Sequence, residues 1–269
     1  MLISERNNPD KMKILVCVKQ ILDPDSPVRI NASRKWIERT PHGLYRMNRF
    51  DEYALEEALR IRDAFPKTRI DALSVGPAGA ARTLKRALEL GVDEGIHIVL
   101  DDEGYRMPWE TASLIAAYAD NRRYDLILAG VMAEDDMQGQ VGPMVAVMLG
   151  CPWATAVMSQ KLTPDDRRIH VERELEGGRR EALTLPLPAL LTVQSGINRP
   201  RYPALSHVMR ARSQKIITID AKTRKPPESR DYVICLEEPA PVISSVFLSG
   251  SALEKAEKLA QMLKERAWL

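Results

Sequence analysis

The stretch "YDLILAGVMAEDDMQGQVGPMVAVMLG", Tyr124 to Gly150, decides how this chain folds. Its first part, Tyr124 to Gly130, is a short continuous apolar run, the pattern of a strand buried on both faces. Its last part, Gly142 to Gly150, is apolar again and ends on glycine, as a short helix does. Between them stand Glu134, Asp135 and Asp136, then Gln138 and Gln140 interleaved with glycines. A strand that gives way to a polar, glycine-containing loop and then to a helix start is a place where a ligand can sit.

The same texture extends upstream. "KILVCVKQ" (Lys13 to Gln20), "RIDALSVGP" (Arg69 to Pro77) and "GIHIVLDD" (Gly95 to Asp102) read as buried strands. "NRFDEYALEEALRIRDAFP" places Phe50, Ala54, Leu55, Ala58, Leu59 and Ile61 at helical spacing, and Pro66 closes it. Asn48 can cap this helix, and Asp51 and Glu52 in its first turn suit the dipole. "GAARTLKRALELG" is a helix with Gly91 past its C-terminus, and "PWETASLIAAYADNR" is one with Pro108 near its start. The segment Ser26 to Arg49 carries Pro, Asn and Gly and reads as loop with a short hairpin.

Continuous apolar strands alternating with helices imply an α/β fold: a mostly parallel, twisted sheet with helices on both faces, Rossmann-like in architecture. In such sheets ligands lie beyond the carboxyl ends of the strands. Here those ends are Cys17 to Lys19, Ser74 to Pro77 and Gly130 to Asp136.

After Pro152 the pattern changes to short strands and turns. "VEREL" and "EALTL" flank a hairpin turn built on Gly177 and Gly178, and "LPLPALLTV" is the last apolar strand. "SGINRPRYPALSHVMRARSQK" reads as a surface segment, and "RKPPESRDY" and "EEPAPV" are linker-like. The chain finishes on an amphipathic helix with a Leu253, Ala256, Leu259, Ala260, Leu263 stripe and Ser249 or Ser251 as cap. The expected organisation is a disordered extension over residues 1–11, an α/β domain over 12–220 and a C-terminal arm and helix over 221–269.

Composition narrows the function. The 269 residues carry a net charge of +2, so bulk charge argues for neither nucleic acid nor membrane, and no nucleic-acid partner is expected. No apolar run approaches the ~18 residues of a membrane span, and residues 1–11 lack the apolar core of a signal peptide. Cys17, Cys151 and Cys235 are an odd number without a CxxC pair, which fits reduced thiols in a cytoplasmic protein. His42, His97, His170 and His207 are scattered without metal-ligand spacing. There is no GxSxG, HExxH, P-loop or GxGxxG, so a binding or carrier protein is favoured over a hydrolase.

The residues alone leave two readings of Asp135 to Gly142 open. In one it binds a nucleotide: helix-start N–H groups attract the phosphate, Gly142 admits close approach, the glutamines donate, and Asp135 or Asp136 accepts from ribose. In the other it is a solvated loop whose acids cap the helix. Asn48 to Asp51 is likewise either a site or a cap with a core phenylalanine. "NRPRYPALSHVMRAR", with Tyr202, Leu205 and Met209 among Arg199, Arg201, Arg210 and Arg212, is either a docking segment or a solvated loop leading into a short helix. A stand-alone adenine-nucleotide module, a universal-stress-like sensor, competes with a carrier subunit. An adenylyl-transferring ligase is disfavoured by the acidic run.

Ordered matches then identify a resemblance: "MKILVCVKQ", "NRFDEYALEEALRIRD", "ALSVGP", "ALELGVDEGIHI", "DDMQGQVGPMVAVMLGCPWAT", "VERELEGGRREALTLPLPALLTV" and "NRPRYPALSHVMRAR". From Met12 to about Asp220 the chain resembles the β subunits of electron transfer flavoproteins. The resemblance implies a heterodimer with a larger α subunit that holds the redox FAD. The β subunit packs around that FAD and carries a second nucleotide, usually AMP, or a second FAD in members that bifurcate electrons. It implies electrons accepted from acyl-CoA dehydrogenases of fatty acid oxidation, or similar enzymes, and passed to a membrane quinone oxidoreductase. It implies an electron carrier without acid, base or nucleophile of its own, and an arm that clasps the α subunit.

Residue by residue, the implied cofactor site is Cys17, Asn48, Arg49, Phe50, Asp51, Val75, Asp135, Asp136, Met137, Gln138, Gly139, Gln140, Val141, Gly142, Pro143, Met144, Val145 and Ala146. The implied docking residues are Tyr202, Leu205, Met209 and Arg210. AMP-holding members carry Thr-Gly-Gln where Val141, Gly142 and Pro143 stand, and an aromatic residue that touches flavin in some members is Pro24 here.

Overall fold

A computed structural model describes residues 12–38, 43–101, 104–223, 229, 231–240 and 245–268. The expected 1–11 extension and His42 lie outside them. The chain divides into two compact units between Leu236 and Glu237.

In the first unit the strands are β1 (Lys13–Cys17), β2 (Gln20–Leu22), β3 (Tyr45–Met47), β4 (Arg69–Gly76), β5 (Glu94–Val99), β6 (Leu126–Gly130), β7 (Trp153–Thr163), β8 (Arg168–Glu174), β9 (Arg180–Pro186), β10 (Ala189–Val193) and β11 (Ile217–Asp220). The helices are α1 (Arg49–Ala64), α2 (Ala81–Leu90), α3 (Pro108–Ala119), α4 (Val141–Leu149) and α5 (Leu205–Ser213). All strands but β2 and β3 form one nine-stranded sheet in the order β11-β5-β4-β1-β6-β10-β7-β8-β9. Neighbours are parallel from β11 through β7, and β8 and β9 continue it antiparallel. The expected α/β architecture is therefore present. The short hairpin expected within Ser26 to Arg49 reduces to an isolated Ile30–Ile37 bridge, and β3 pairs instead with β2, which precedes that segment.

Alternation along the strands sorts side chains into two apolar layers. Ile14, Val16, Ile70, Ala72, Leu126, Leu128, Leu191 and Val193 face α1 and α2. Leu15, Leu73, Ile96, Ile98, Ile127 and Leu190 face α3 and α4. A strand covered on both sides needs an unbroken apolar run, which is why these strands show no polar alternation in the sequence. The β8–β9 hairpin does alternate, because one of its faces meets solvent, and Gly177 and Gly178 supply its turn at φ 72° and 71°. Pro108 opens α3, and Gly91 and Gly150 close α2 and α4 in the left-handed conformation.

Two elements differ from the sequence reading. "LPLPALLTV" is not the last strand: β11 follows it and pairs with β5 at the opposite edge of the sheet. Four residues long and exposed at Ile217, β11 lacks the apolar run that marks an inner strand. Nor does β10 follow β9 in space. It inserts between β6 and β7, a placement no local pattern encodes.

The second unit carries α6 (Ala252–Glu265). Ser251 accepts from the Glu254 N–H and its own N–H donates to Glu254, a complete capping box. No residue of α6 is buried. Among the described residues no helix is long and apolar enough to cross a membrane.

Gly91 combines a φ of 116° with close packing: a Cβ there would stand 2.8 Å from His207 Nδ1 on α5. Gly91→Ala is expected to lower stability by about 2 kcal/mol, from left-handed strain and crowding together, read as a lower urea midpoint.

Candidate functional site

β1 is the hinge of the sheet order. The chain builds β4 and β5 on one side of it, then crosses to place β6 on the other. A crevice opens at such a reversal, beyond the carboxyl ends of the strands. It is lined here by Cys17 through Leu22, by Leu73 and Val75 through Pro77, and by Ala129 through Ala133 with Asp135, Asp136, Gln138, Gly139, Val141 and Gly142.

The start of α1 holds this crevice together. Asp51 is buried, and its carboxylate accepts from the Lys19 N–H at 2.7 Å and the Gly130 N–H at 3.0 Å. One side chain thereby joins the end of β1 to the end of β6. Burial pushes the Asp51 carboxyl up to about 7, against the backbone donors that pull it down. Asn48 does not cap α1 with its side chain, contrary to the sequence reading. It reaches the loop after β6 instead, donating from Nδ2 to the Met132 carbonyl at 2.9 Å and accepting from the Glu134 N–H at 3.2 Å. Glu134 in turn accepts from the Arg49 N–H and pairs with Arg46 at 3.1 Å. Gly130 has to be glycine, since a Cβ there would lie 2.5 Å from Asp51 Oδ1 and 2.6 Å from Phe50 Cβ.

The acidic run is not a solvated helix cap. Lys19 Nζ lies 2.7 Å from Asp135 and 3.1 Å from Asp136. Burial alone would depress the Lys19 ammonium, but the two carboxylates hold it above its ordinary value. Burial also pushes Asp135 upward against the pull of Lys19. Asp136 further accepts from the Gln138 N–H, and Gln140 donates its amide to Gln138. α4 has no side-chain cap, so the Val141 and Gly142 N–H groups at its start meet the crevice without a protein side chain on them. They, with the apolar floor at Leu73, Val75 and Ile115, suit an anionic group attached to an apolar body. Burial, then Asp51, pushes the Cys17 thiol up to about 12, so it is a wall and not a thiolate.

The remaining expected site residues lie around this crevice rather than in its lining. Met137 and Gln140 are exposed on the loop, and Met137 takes a φ of 54°. Pro143 and Met144 are half-buried, and Val145 and Ala146 lie in the apolar layer beneath α4. Gly142 has a different reason to be glycine from the close ligand approach expected: a Cβ would stand 2.5 Å from Thr192 Cγ2, so the glycine seats α4 on β10. Sequence reasoning missed Lys19, Trp36 and Tyr105. Lys19 follows β1 directly and its position was a fair signal. Trp36 and Tyr105 line the crevice from separate loops, which no spacing announces.

The 198–212 segment sits on α1 and α2. Arg201 forms a bidentate pair with buried Glu56 and reaches Asp63 at 2.7 Å. Asn198 donates to the Tyr53 carbonyl and to Glu57. Tyr202, Leu205 and Met209 are 92%, 77% and 53% exposed. Arg210, grouped with them from the sequence, is exposed as well, and its guanidinium donates to the Gly91 and Val92 carbonyls beyond the end of α2.

Asp51 sets a pH dependence. Its carboxyl titrates near 7 in the fold and at 3.8 ordinarily. Between those values the folded chain holds a proton that the unfolded chain has released. This contribution to stability is complete below about pH 4 and is lost as the pH rises through about 7. The urea midpoint is expected to fall between pH 5 and pH 8, and the fall to be smaller in Asp51→Asn; equal falls in both proteins would refute the assignment.

Comparison with known proteins agrees with the resemblance. The family described as the electron transfer flavoprotein domain matches residues 40–224. The chain is 35% identical over 248 residues to the Arabidopsis thaliana mitochondrial electron transfer flavoprotein subunit beta, covering 92% of this chain and 97% of that protein. It is 34% identical over 263 residues to the Homo sapiens electron transfer flavoprotein subunit beta, covering 95% and 98%. The Oryza sativa subsp. indica mitochondrial subunit is 34% identical over 259 residues. With a fold, a switch-point crevice and near-complete coverage in agreement, the chain belongs to the electron transfer flavoprotein family, among its β subunits.

Proposed function

We propose that the chain pairs with an α subunit in a heterodimeric electron carrier. In this reading the crevice between β1 and β6 holds an adenine nucleotide, AMP or the AMP portion of a second FAD. The observation that carries it is the uncapped start of α4 at a cavity with an apolar floor. Val141 and Gly142 offer backbone N–H groups to phosphate, Gln138 offers an amide, and Asp135 and Asp136, balanced by Lys19, accept from ribose hydroxyls. A redox FAD shared with the α subunit supplies the electron-carrying group.

The rest of the molecule supports a carrier. Electron transfer asks this chain to hold, orient and dock, without a nucleophile or general base of its own. Leu205 and Tyr202 stand exposed on a segment fixed by Arg201 and Asn198, as an apolar anchor for an acyl-CoA dehydrogenase or similar donor does. A quinone oxidoreductase serves as acceptor. α6 exposes Leu253 and Leu259, and this arm and helix pack on the α subunit. Cys17 and Cys151 are free thiols, in keeping with a reducing, cytoplasmic setting.

Denaturing extraction of the purified heterodimer is expected to release FAD plus a second adenine nucleotide: AMP in a simple carrier, another FAD in a bifurcating one. Release of a single FAD and nothing else would refute the pocket. Leu205→Ala is expected to slow electron transfer from the dehydrogenase about tenfold with an unchanged urea midpoint, as loss of an interface anchor does. Unchanged transfer kinetics would remove Leu205 from the docking surface.

A further inference from the structure

Trp36 and Tyr105 meet across the crevice from two different excursions, one between β2 and β3 and the other between β5 and α3. Their ring centroids are 4.5 Å apart at an interplanar angle of 35°. Both line the cavity, and neither belongs to either apolar layer of the sheet. The usual employment of a half-buried tryptophan, packing on the core, is therefore absent. Tyr105 is nevertheless fixed. Trp36 covers one side of it, and its hydroxyl accepts from Gln138 Nε2 at 2.9 Å. Gln138 belongs to the loop that leads into α4, so the aromatic pair is tied to the polar end of the pocket.

Two polar side chains behind the pocket are taken up by the fold: Asp51 and Asn48 bond backbone groups. Asp135 and Asp136, beside Lys19, stand at the ribose position and not at the ring. A rigid, preoriented aromatic surface beside an anion-binding helix start offers what a planar ring joined to a phosphate needs.

We propose that Trp36 and Tyr105 form the ring-stacking wall of this pocket and take the planar heteroaromatic ring of its nucleotide, purine or isoalloxazine. This inference rests on the pocket reading above and adds to it the residues that hold the ring. It assigns Trp36 and Tyr105 to ring recognition and leaves phosphate recognition with Val141 and Gly142.

The test uses the full heterodimer, stripped of its loosely held nucleotide and titrated with AMP, FMN and ribose 5-phosphate. Binding is read by calorimetry and by quenching of tryptophan emission. Trp36→Leu is expected to weaken whichever of AMP or FMN the wild type prefers by about tenfold, in keeping with one lost stacking contact, while ribose 5-phosphate binds as before. Trp36→Phe, which keeps an aromatic face, is expected to stay within about threefold of wild type and to lose the quench. Preference for AMP names a purine on the wall, and preference for FMN an isoalloxazine. Wild-type affinity in Trp36→Leu would overturn the wall and leave the pocket standing. An equal loss for ribose 5-phosphate would also overturn it, since the substitution would then act through the fold. A wild type that binds none of the three probes would overturn the pocket reading itself.

Discussion

One carboxylate holds the functional end of this protein in place. Asp51 is planted in the first turn of α1, out of water, and accepts the Lys19 and Gly130 N–H groups that β1 and β6 present where they stop pairing. Strands diverge where their ladder ends, and a backbone N–H left there without water or a partner is costly. Asp51 satisfies both donors at once and sets the spacing between the two strand ends. Everything that lines the crevice inherits that spacing. The loop after β6 leaves from Gly130, the Lys19 ammonium leaves from the end of β1, and both reach toward Asp135 and Asp136. The benefit comes with burial of an ionisable group, which is why the carboxyl titrates so far above its ordinary range.

Asn48 extends the same arrangement by one helical turn. Bonding Met132 and Glu134, it fixes the base of the loop rather than the end of the helix. A side chain that could cap α1 satisfies a distant backbone instead, and the N-terminus of α1 relies on the Asn48 carbonyl, which accepts from Asp51 and Glu52. The acids on α1 follow a similar logic. Glu56 and Glu57 are buried, and each answers a group from the 196–201 region or the β7 strand: Arg201 for one, Asn198 and Gln160 for the other. A buried carboxylate is tolerable when its oxygens are filled in this way. The 198–212 segment and the crevice thus hang from the same helix.

This explains which features the sequence disclosed. The inner strands announce themselves because burial on both faces demands a continuous apolar run, and Gly91, Gly150 and Pro108 mark helix ends because few other residues fit there. The β6–α4 loop stands at the crevice, as its place between strand and helix led one to expect. What the sequence hid depends on contacts between distant segments. Asn48 and Asp51 looked like ordinary helix-start residues, and only the fold reveals that their partners are more than 75 residues away at Gly130 and Glu134. Arg210 gave no sign in the sequence of its bonds to the end of α2. Gly142 was read for its approach to a ligand, and its packing against Thr192 shows only in the fold. The edge strand β11 is too short and too exposed to carry a pattern.

The clamp from α1 has an evolutionary consequence. It grips the loop at its base, at Gly130, Met132 and Glu134, and leaves the side chains of Asp135 to Gln140 outside its reach. The base and the tip of the loop are thus held by different partners: α1 grips the base, while Lys19 and Tyr105 meet the tip. Substitutions at the tip therefore leave the clamp from α1 in place, and the two ends of one loop can vary independently.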